Sequence, residues 1–144
     1  MEKEKINKER IKMESNWKDE EEKQEKEEAD EAGETEKSLI NNIKNFTSSA
    51  SKIYEVKDYT SATILYFKAL FSILDLIVFR KKGFIPKDHS ERFRILEKEF
   101  SEFYLIADKY FPIYQSSYTR SIEKEVCDEI KENVERIIEE QEIL

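Results

Sequence analysis

The scarcity of chain-reversing residues is the feature that most constrains the fold of this sequence. Its 144 residues include only 2 Gly and 2 Pro. A β-sandwich or a doubly wound α/β fold needs many tight turns, which Gly and Pro supply. A chain of this length with so few of them therefore favours a single all-α domain with little room for a second.

Charge separates the sequence into two parts. Met13–Lys37 carries twelve acidic residues and four lysines, whereas residues 1–12 carry five basic and three acidic residues. No large apolar side chain stands between Trp17 and Leu39, so this part cannot bury enough surface to offset the entropy of ordering. Residues 1–37 are therefore predicted to be a mostly acidic extension, either disordered or a solvated helix.

From Leu39 onward, apolar residues recur at helical spacing and predict an antiparallel up-down bundle of four to five helices in residues 38–144. Gly33 is expected to break the chain before this domain. Asp58 and Asp88 are predicted N-caps, and Gly83 is a predicted C-cap. The predicted helices cover about residues 38–56 from a Ser38 cap, 59–82, 89–110 ended by Pro112, and 117 to the end.

Two surfaces are expected to meet other proteins. Ile6, Met13 and Trp17 could share one helical face of the extension, flanked by Ile11, and a lone Trp in a charged tail is a candidate anchor for a partner's pocket. The alternative is that this Trp packs loosely on its own domain or on nothing. Helix two is apolar nearly all round, which predicts a homodimer or a heteromeric complex through helix two or four.

Basic residues cluster around the turn between helices two and three. With neighbouring aromatic residues they could bind phosphates and stack bases, or they could be ordinary helix-end charges beside a core. A hydroxyl-rich segment before the last helix offers either an anion site at a helix start or a cap. The candidate nucleotide- or RNA-binding residues are Arg80, Lys81, Lys82, Lys87, His89, Arg92, Arg94, Tyr118 and Arg120.

Patterns of catalytic and metal chemistry are largely missing from the sequence. One His does not support a multi-histidine metal site, no Glu-x-x-His pair suggests a di-iron bundle, and no phosphate loop or nucleophile elbow occurs. One cysteine, Cys127, allows no intramolecular disulfide and is predicted to be a buried structural thiol. No catalytic residue, metal site or cofactor is predicted.

The stretch YTSATILYFKALFSILDLIVFRKKGFIPKDHSERFRIL resembles HEPN domains, and the later IYQSSYTRSIEKEVCDEIKENVERI resembles the final turn and helix of that family. HEPN domains pair a Tyr/Ala-rich helix with a basic, Gly-containing turn and a His at the start of the next helix. The resemblance covers about residues 38–138. The matching residues are Tyr59, Ala62, Tyr66, Lys68, Ala69, Gly83 and His89.

The resemblance implies a four- to five-helix bundle, often a homodimer. The family includes toxin–antitoxin ribonucleases, partners of minimal nucleotidyltransferases and non-catalytic nucleotide or RNA binders. Its nucleases carry an Arg followed after four to six residues by a His, but KYFPIYQSSYTRS holds Arg120 and no His. Because His89 and Arg120 are expected at opposite ends of antiparallel helices, roughly 30 Å apart, ribonuclease activity is not expected.

Two functions from different classes follow. The first is a non-catalytic accessory protein that binds a nucleotidyltransferase or a larger replication or repair enzyme, with its acidic segment tuning contact with nucleic acid. The second is a nucleotide or RNA binder that uses the rim Arg80–Arg94, such as a toxin–antitoxin component. The lack of a signal peptide and of an uninterrupted apolar span predicts a cytoplasmic protein. The Lys/Glu surplus suits a thermophile, for example an archaeal one, or an AT-rich genome.

Overall fold

The computed structural model describes all 144 residues, and every regular element in it is a helix. The chain divides into two compact units, Met1–Thr35 and Glu36–Leu144. The prediction of an all-α protein is therefore confirmed. The five helices are α1 (Glu2–Glu55), α2 (Tyr59–Lys82), α3 (His89–Glu99), α4 (Ser101–Ser116) and α5 (Lys124–Glu140).

The unit Met1–Thr35 is helical, because α1 begins at Glu2 and continues through Gly33 and Ser38. Every residue from Met1 to Glu34 is exposed. The predicted break at Gly33 and the predicted cap at Ser38 are both wrong. A single helical glycine costs only about 1 kcal/mol relative to alanine, and the surrounding Glu, Lys and Ala residues favour a helix.

Deletion of residues 1–35 should change the free energy of unfolding of the remaining chain by less than about 0.5 kcal/mol. No residue of this segment is buried, so its removal exposes no core side chain. Thermal denaturation of the full and shortened chains, followed by circular dichroism, measures the difference. A shortened chain that has lost its cooperative transition would contradict the prediction.

Within the unit Glu36–Leu144, the two flanking helices run in opposite directions along α2. The segment of α1 is antiparallel to it, because Glu36 pairs with Arg80 at 2.8 Å and Tyr54 packs on Tyr59 with 5.4 Å between ring centres. The chain that enters α5 bonds to the start of α2, where the Ile122 amide donates to Thr60 Oγ1 at 2.8 Å. Since Arg80 also bonds to the carbonyl of Gln141, α5 runs parallel to α2.

The predicted third helix is two helices, because Phe100 leaves the helical conformation with φ −138° and ψ 57°. The first of them, α3, runs alongside α2 in the same direction, and α4 turns back antiparallel to both. Pro112 lies inside α4 and does not end it, contrary to prediction. Proline removes only the bond to the carbonyl of Asp108, and that residue is exposed to water.

The helix caps in the middle of the chain lie where the sequence predicts them. The Asp58 carboxylate accepts from the Ser61 amide at 3.1 Å, and the Asp88 carboxylate accepts from the Glu91 amide at 2.9 Å. Gly83 ends α2 with φ 82°, a left-handed conformation that suits glycine. These three caps are confirmed.

The core is centred on α2, which buries 13 of its 24 residues. No large apolar side chain of α2 or α5 is exposed. The homodimer or heteromeric contact expected through helix two or four stays a prediction. By length and composition α2 is also apolar enough to cross a membrane, but 67% of its most apolar window is buried within this unit, as in the core helix of a bundle.

Candidate functional site

A buried ion pair joins α2 to α3. Arg92 Nε donates to Asp75 Oδ1 at 2.7 Å, and Arg92 Nη2 donates to Asp75 Oδ2 at 2.9 Å. The two side chains are only 10% and 12% exposed. The guanidinium also lies over the Phe71 ring, 4.7 Å from its centre. This bidentate geometry is the strongest that an arginine and a carboxylate can form.

His89 completes this cluster at the surface. Its Nδ1 lies 2.6 Å from Arg92 Nη1, and because a guanidinium can only donate, Nδ1 is the acceptor. The neutral ring therefore carries its proton on Nε2. The imidazole packs against Phe71 and Phe111, with 5.0 and 5.1 Å between ring centres. Burial, and next the charge of Arg92, lower the pKa of His89.

This arrangement limits what the two residues can do chemically. A general base needs a free nitrogen lone pair within reach of the proton it removes. Nε2 of His89 already carries a proton, and Nδ1 is occupied by Arg92. Arg92, predicted to bind a phosphate, is instead held by Asp75 and buried, so it does not belong to an exposed rim. His89 can offer only a hydrogen-bond donor to a ligand.

Stability should fall between about pH 7 and about pH 5, and part of that fall should come from His89. The pKa of His89 in the folded protein lies below its ordinary value of 6.5. As the pH drops through 6.5, the unfolded chain binds the proton first, so the folded state loses stability until the folded pKa is passed. Urea unfolding of wild type and His89→Gln at both pH values tests this, since the variant should show a smaller fall. Equal falls would refute it.

Three other basic residues of the predicted rim have separate partners. Arg80 bonds to Glu36, and Lys82 Nζ lies 2.6 Å from Glu99. Lys81 lies over the Phe100 ring at 4.9 Å. These contacts are structural, because each ties the end of α2 to another element of the unit.

Three cations near α3 make no ion pair: Lys87, Arg94 and Lys98. Lys87 and Arg94 line a shallow cavity of about 250 Å³, and Arg94 and Lys98 line a second of about 340 Å³. Sequence reasoning missed Lys98. Lys98 could have been recognised from its position four residues after Arg94, which places both side chains on one helical face.

The hydroxyl-rich segment lies at the end of α4, not at the start of the last helix. Ser116 Oγ donates to the carbonyl of Ile113 at 2.7 Å, and Ser117 Oγ donates to that of Tyr114 at 2.5 Å. The carboxyl end of a helix carries partial negative charge and disfavours anions. The helix start on which the predicted anion site depended is therefore wrong. Tyr118 and Arg120 are both exposed, and α5 begins only at Lys124.

The predicted separation of His89 and Arg120 rested on a wrong assignment of helices. Because α3 and α4 form an antiparallel hairpin, Phe111 of α4 lies beside His89. Arg120 follows the end of that same helix. The two residues therefore do not lie at opposite ends of a helix pair.

The exposed apolar residues of α1 fall on two faces. Ile6, Met13 and Trp17 are 65%, 54% and 58% exposed. Their spacing of seven and four residues places them within roughly 40° around the helix, and we call them the N-terminal stripe. Ile11, 58% exposed, lies roughly 140° away from the stripe, so the expectation that it flanks this face is wrong.

An open groove between α3 and α4 was not predicted from the sequence. Half-buried aromatic rings of Phe93, Tyr104 and Phe111 form part of its lining. The predicted third helix, residues 89–110, holds Phe93 and Tyr104, and the turn at Phe100 instead folds this part of the chain into a hairpin. No group of three or more His, Cys, Asp or Glu residues is placed to hold a metal ion.

No protein-family model matches the chain, and neither a curated protein nor a solved structure is detectably similar to it.

Proposed function

We propose that this protein is a non-catalytic interaction protein that docks on a protein partner through the N-terminal stripe of Ile6, Met13 and Trp17. The observation that carries the proposal is the 58% exposure of the only Trp, on a helix that buries none of its first 34 residues. Trp is one of the residue types enriched among the energetically dominant residues of protein interfaces. Apolar residues spaced by seven and four match the pattern of a helix that lies in a partner's groove.

Charge indicates what kind of surface the partner presents. Met13–Lys37 carries twelve acidic residues against four lysines, and only two of these acids, Glu14 and Glu36, form ion pairs. A basic surface beside an apolar groove would complement this segment. Such surfaces are typical of nucleic-acid enzymes, which fits the partner that the HEPN resemblance suggests, a nucleotidyltransferase or a larger replication or repair enzyme. There the acidic segment would compete with nucleic acid.

A second copy of the same helix is a poor partner. With Ile6 and Met13 at d and Trp17 at a of a heptad, Arg10 and Glu20 fall on the same seam. In a parallel pair, Glu9 at g faces Glu14 of the other helix at e, and like charges there are repulsive. The stripe therefore favours a different protein over self-association.

Affinity capture from native lysate, with quantitative mass spectrometry, tests the proposal when wild type is compared with Trp17→Ala and Ile11→Ala. Loss of an interface anchor costs about 2 kcal/mol or more, so Trp17→Ala should reduce capture of the specific partner roughly 30-fold. Ile11→Ala removes an equally exposed residue from another face and should have no effect. Equal capture by all three would refute the proposal. The fluorescence of Trp17 should also shift to shorter wavelength on addition of the captured protein.

A second candidate function is the binding of a nucleotide or RNA at the rim. The specific observation is that Lys87, Arg94 and Lys98 make no ion pair and line adjoining shallow cavities. Binding of a labelled single-stranded RNA should then weaken as salt rises, because counterions are released from the phosphates. Lys87→Ala should reduce that salt dependence, while Lys109→Ala on α4 should not.

Purified protein should not cleave single-stranded RNA or transfer RNA in the absence of metal ions. Both ring nitrogens of His89 are committed, one to Arg92 and one to its own proton, so no imidazole base is available to activate a 2′-hydroxyl. Gel analysis after incubation with excess chelator provides the measurement. Cleavage that disappears in His89→Ala or Arg120→Ala would show that the protein is a ribonuclease.

A further inference from the structure

The α3–α4 groove runs between two antiparallel helices and has a volume of about 480 Å³. Its aromatic residues pack edge to face, since the Phe93 ring centre lies 5.2 Å from that of Phe111 and 6.4 Å from that of Tyr104. All three are half-buried, so their ring edges and faces remain open to a ligand. The full lining is Ser90, Phe93, Arg94, Glu97, Tyr104, Asp108 and Phe111.

Two carboxylates that form no ion pair border this aromatic surface. Glu97 and Asp108 are exposed and form no ion pair. Their charges, first Asp108 and then Glu97, raise the pKa of the Tyr104 hydroxyl, which places both carboxylates near the same ring. Arg94 also lines both neighbouring cavities, so it lies on the ridge between them and the groove.

We propose that the α3–α4 groove binds a lysine or arginine side chain carried by an amphipathic helical segment of a partner protein. The aromatic rings accommodate the aliphatic stem and face the cation, while Glu97 and Asp108 accept its hydrogen bonds. A phosphate-bearing ligand is disfavoured at this place, because two unpaired carboxylates would repel it.

The chain uses the same combination of groups internally. Lys131 lies over the Tyr54 ring, 4.5 Å from its centre, and the Tyr54 hydroxyl donates to Asp128 at 2.5 Å. The Tyr54 ring thus already faces a lysine where α5 meets α1, and the carboxylate beside it pairs with a second lysine, Lys124, at 3.0 Å. In the α3–α4 groove the rings and two carboxylates are present, and the one cation of its lining, Arg94, pairs with neither carboxylate.

The α3–α4 groove contains no residue of the N-terminal stripe and lies within the unit Glu36–Leu144. Failure of the groove would leave the proposed role of Trp17 untouched, and failure at Trp17 would leave the groove untouched. If both proposals are correct, the protein binds its partner through two independent surfaces, the N-terminal stripe and the α3–α4 groove.

Nuclear magnetic resonance titration of the labelled full chain tests the groove with a synthetic 12-residue amphipathic helical peptide of leucine, alanine and a single lysine, blocked at both ends. The expected result is that amide shifts centre on Phe93, Glu97, Tyr104 and Asp108. The same peptide with glutamate in place of lysine should bind at least about fivefold more weakly.

Matched variants separate the groove from the general acidity of the chain. Glu97→Gln with Asp108→Asn should weaken binding of the lysine peptide at least about fivefold, whereas Glu20→Gln with Glu21→Gln removes the same charge from the acidic segment and should change it less than about twofold. Shifts confined to residues 1–35, equal binding of the two peptides, or no effect of the groove variant would each overturn the inference.

Discussion

Replacing Asp75 with alanine should lower the free energy of unfolding by about 3–5 kcal/mol, because it leaves the guanidinium of Arg92 buried without a counter-charge. Arg92 is 10% exposed, and two of its nitrogens donate to this one carboxylate. The remaining donor, Nη1, contacts only the neutral imidazole of His89. No other acidic side chain forms an ion pair with Arg92, so the fold must admit water or release the α2–α3 contact.

Chemical denaturation of wild type and Asp75→Ala measures this loss. A matched control is Glu99→Ala, which breaks the pair with Lys82 at the same end of α2 but in side chains about 30% exposed, where about 1 kcal/mol or less is expected. The double replacement Asp75→Leu with Arg92→Met should recover most of the stability, since apolar residues of similar size can substitute for a buried pair. A loss below about 1 kcal/mol for Asp75→Ala would show that the pair is not sealed from water.

For the Asp75–Arg92 pair, the sequence indicates that Asp75 needs a partner but does not identify which residue that partner is. An aspartate inside the otherwise apolar run of α2 must find a partner, because a lone buried carboxylate is too costly. Its partner could not be identified from the sequence, since Arg92 is one of six basic residues between Arg80 and Arg94. Only the path of the chain after Gly83 decides which of them reaches the core. Because α3 runs alongside α2, Arg92 is the basic residue that reaches Asp75.

Helices and caps were predictable because their determinants are local. The bonds of Asp58 and Asp88 to amides three residues later, and the left-handed Gly83, depend on neighbours in the sequence. The turn at Phe100 was not predictable in this way, because no Gly, Pro or capping residue marks it. Its half-buried ring packs against the core, and tertiary packing outweighs helix propensity there.

The candidate sites also differ in whether local sequence or tertiary packing determines them. The N-terminal stripe required only that residues 1–17 be helical, and α1 satisfies that requirement. The α3–α4 groove required knowledge of the turn that brings Tyr104 and Phe111 back onto Phe93. The number of exposed cations in the basic rim was overestimated. Charge alone does not distinguish a solvent-exposed arginine from one that is buried in an ion pair, as Arg92 is.

Replacing Phe67 with alanine should also destabilise the protein by about 3–5 kcal/mol, through loss of buried surface and the cavity that remains. Phe67 is fully buried on α2, stacked on Tyr114 at 4.9 Å and edge to face with Phe71 at 4.7 Å. Tyr114 belongs to the last turns of α4, so this ring holds the carboxyl half of that helix on the bundle.

The consequence of Phe67→Ala should extend beyond stability, because Phe111 lies on the same part of α4 and lines the α3–α4 groove. Amide hydrogen exchange should speed up most at the carboxyl end of α4, since local opening follows the loss of its packing partner. Phe84→Ala provides the control: that ring is 41% exposed and its removal should cost less than about 1 kcal/mol. If the two variants lose similar stability, or if exchange in Phe67→Ala rises evenly along the chain, then Phe67 does not fasten α4 and the groove is held by other contacts.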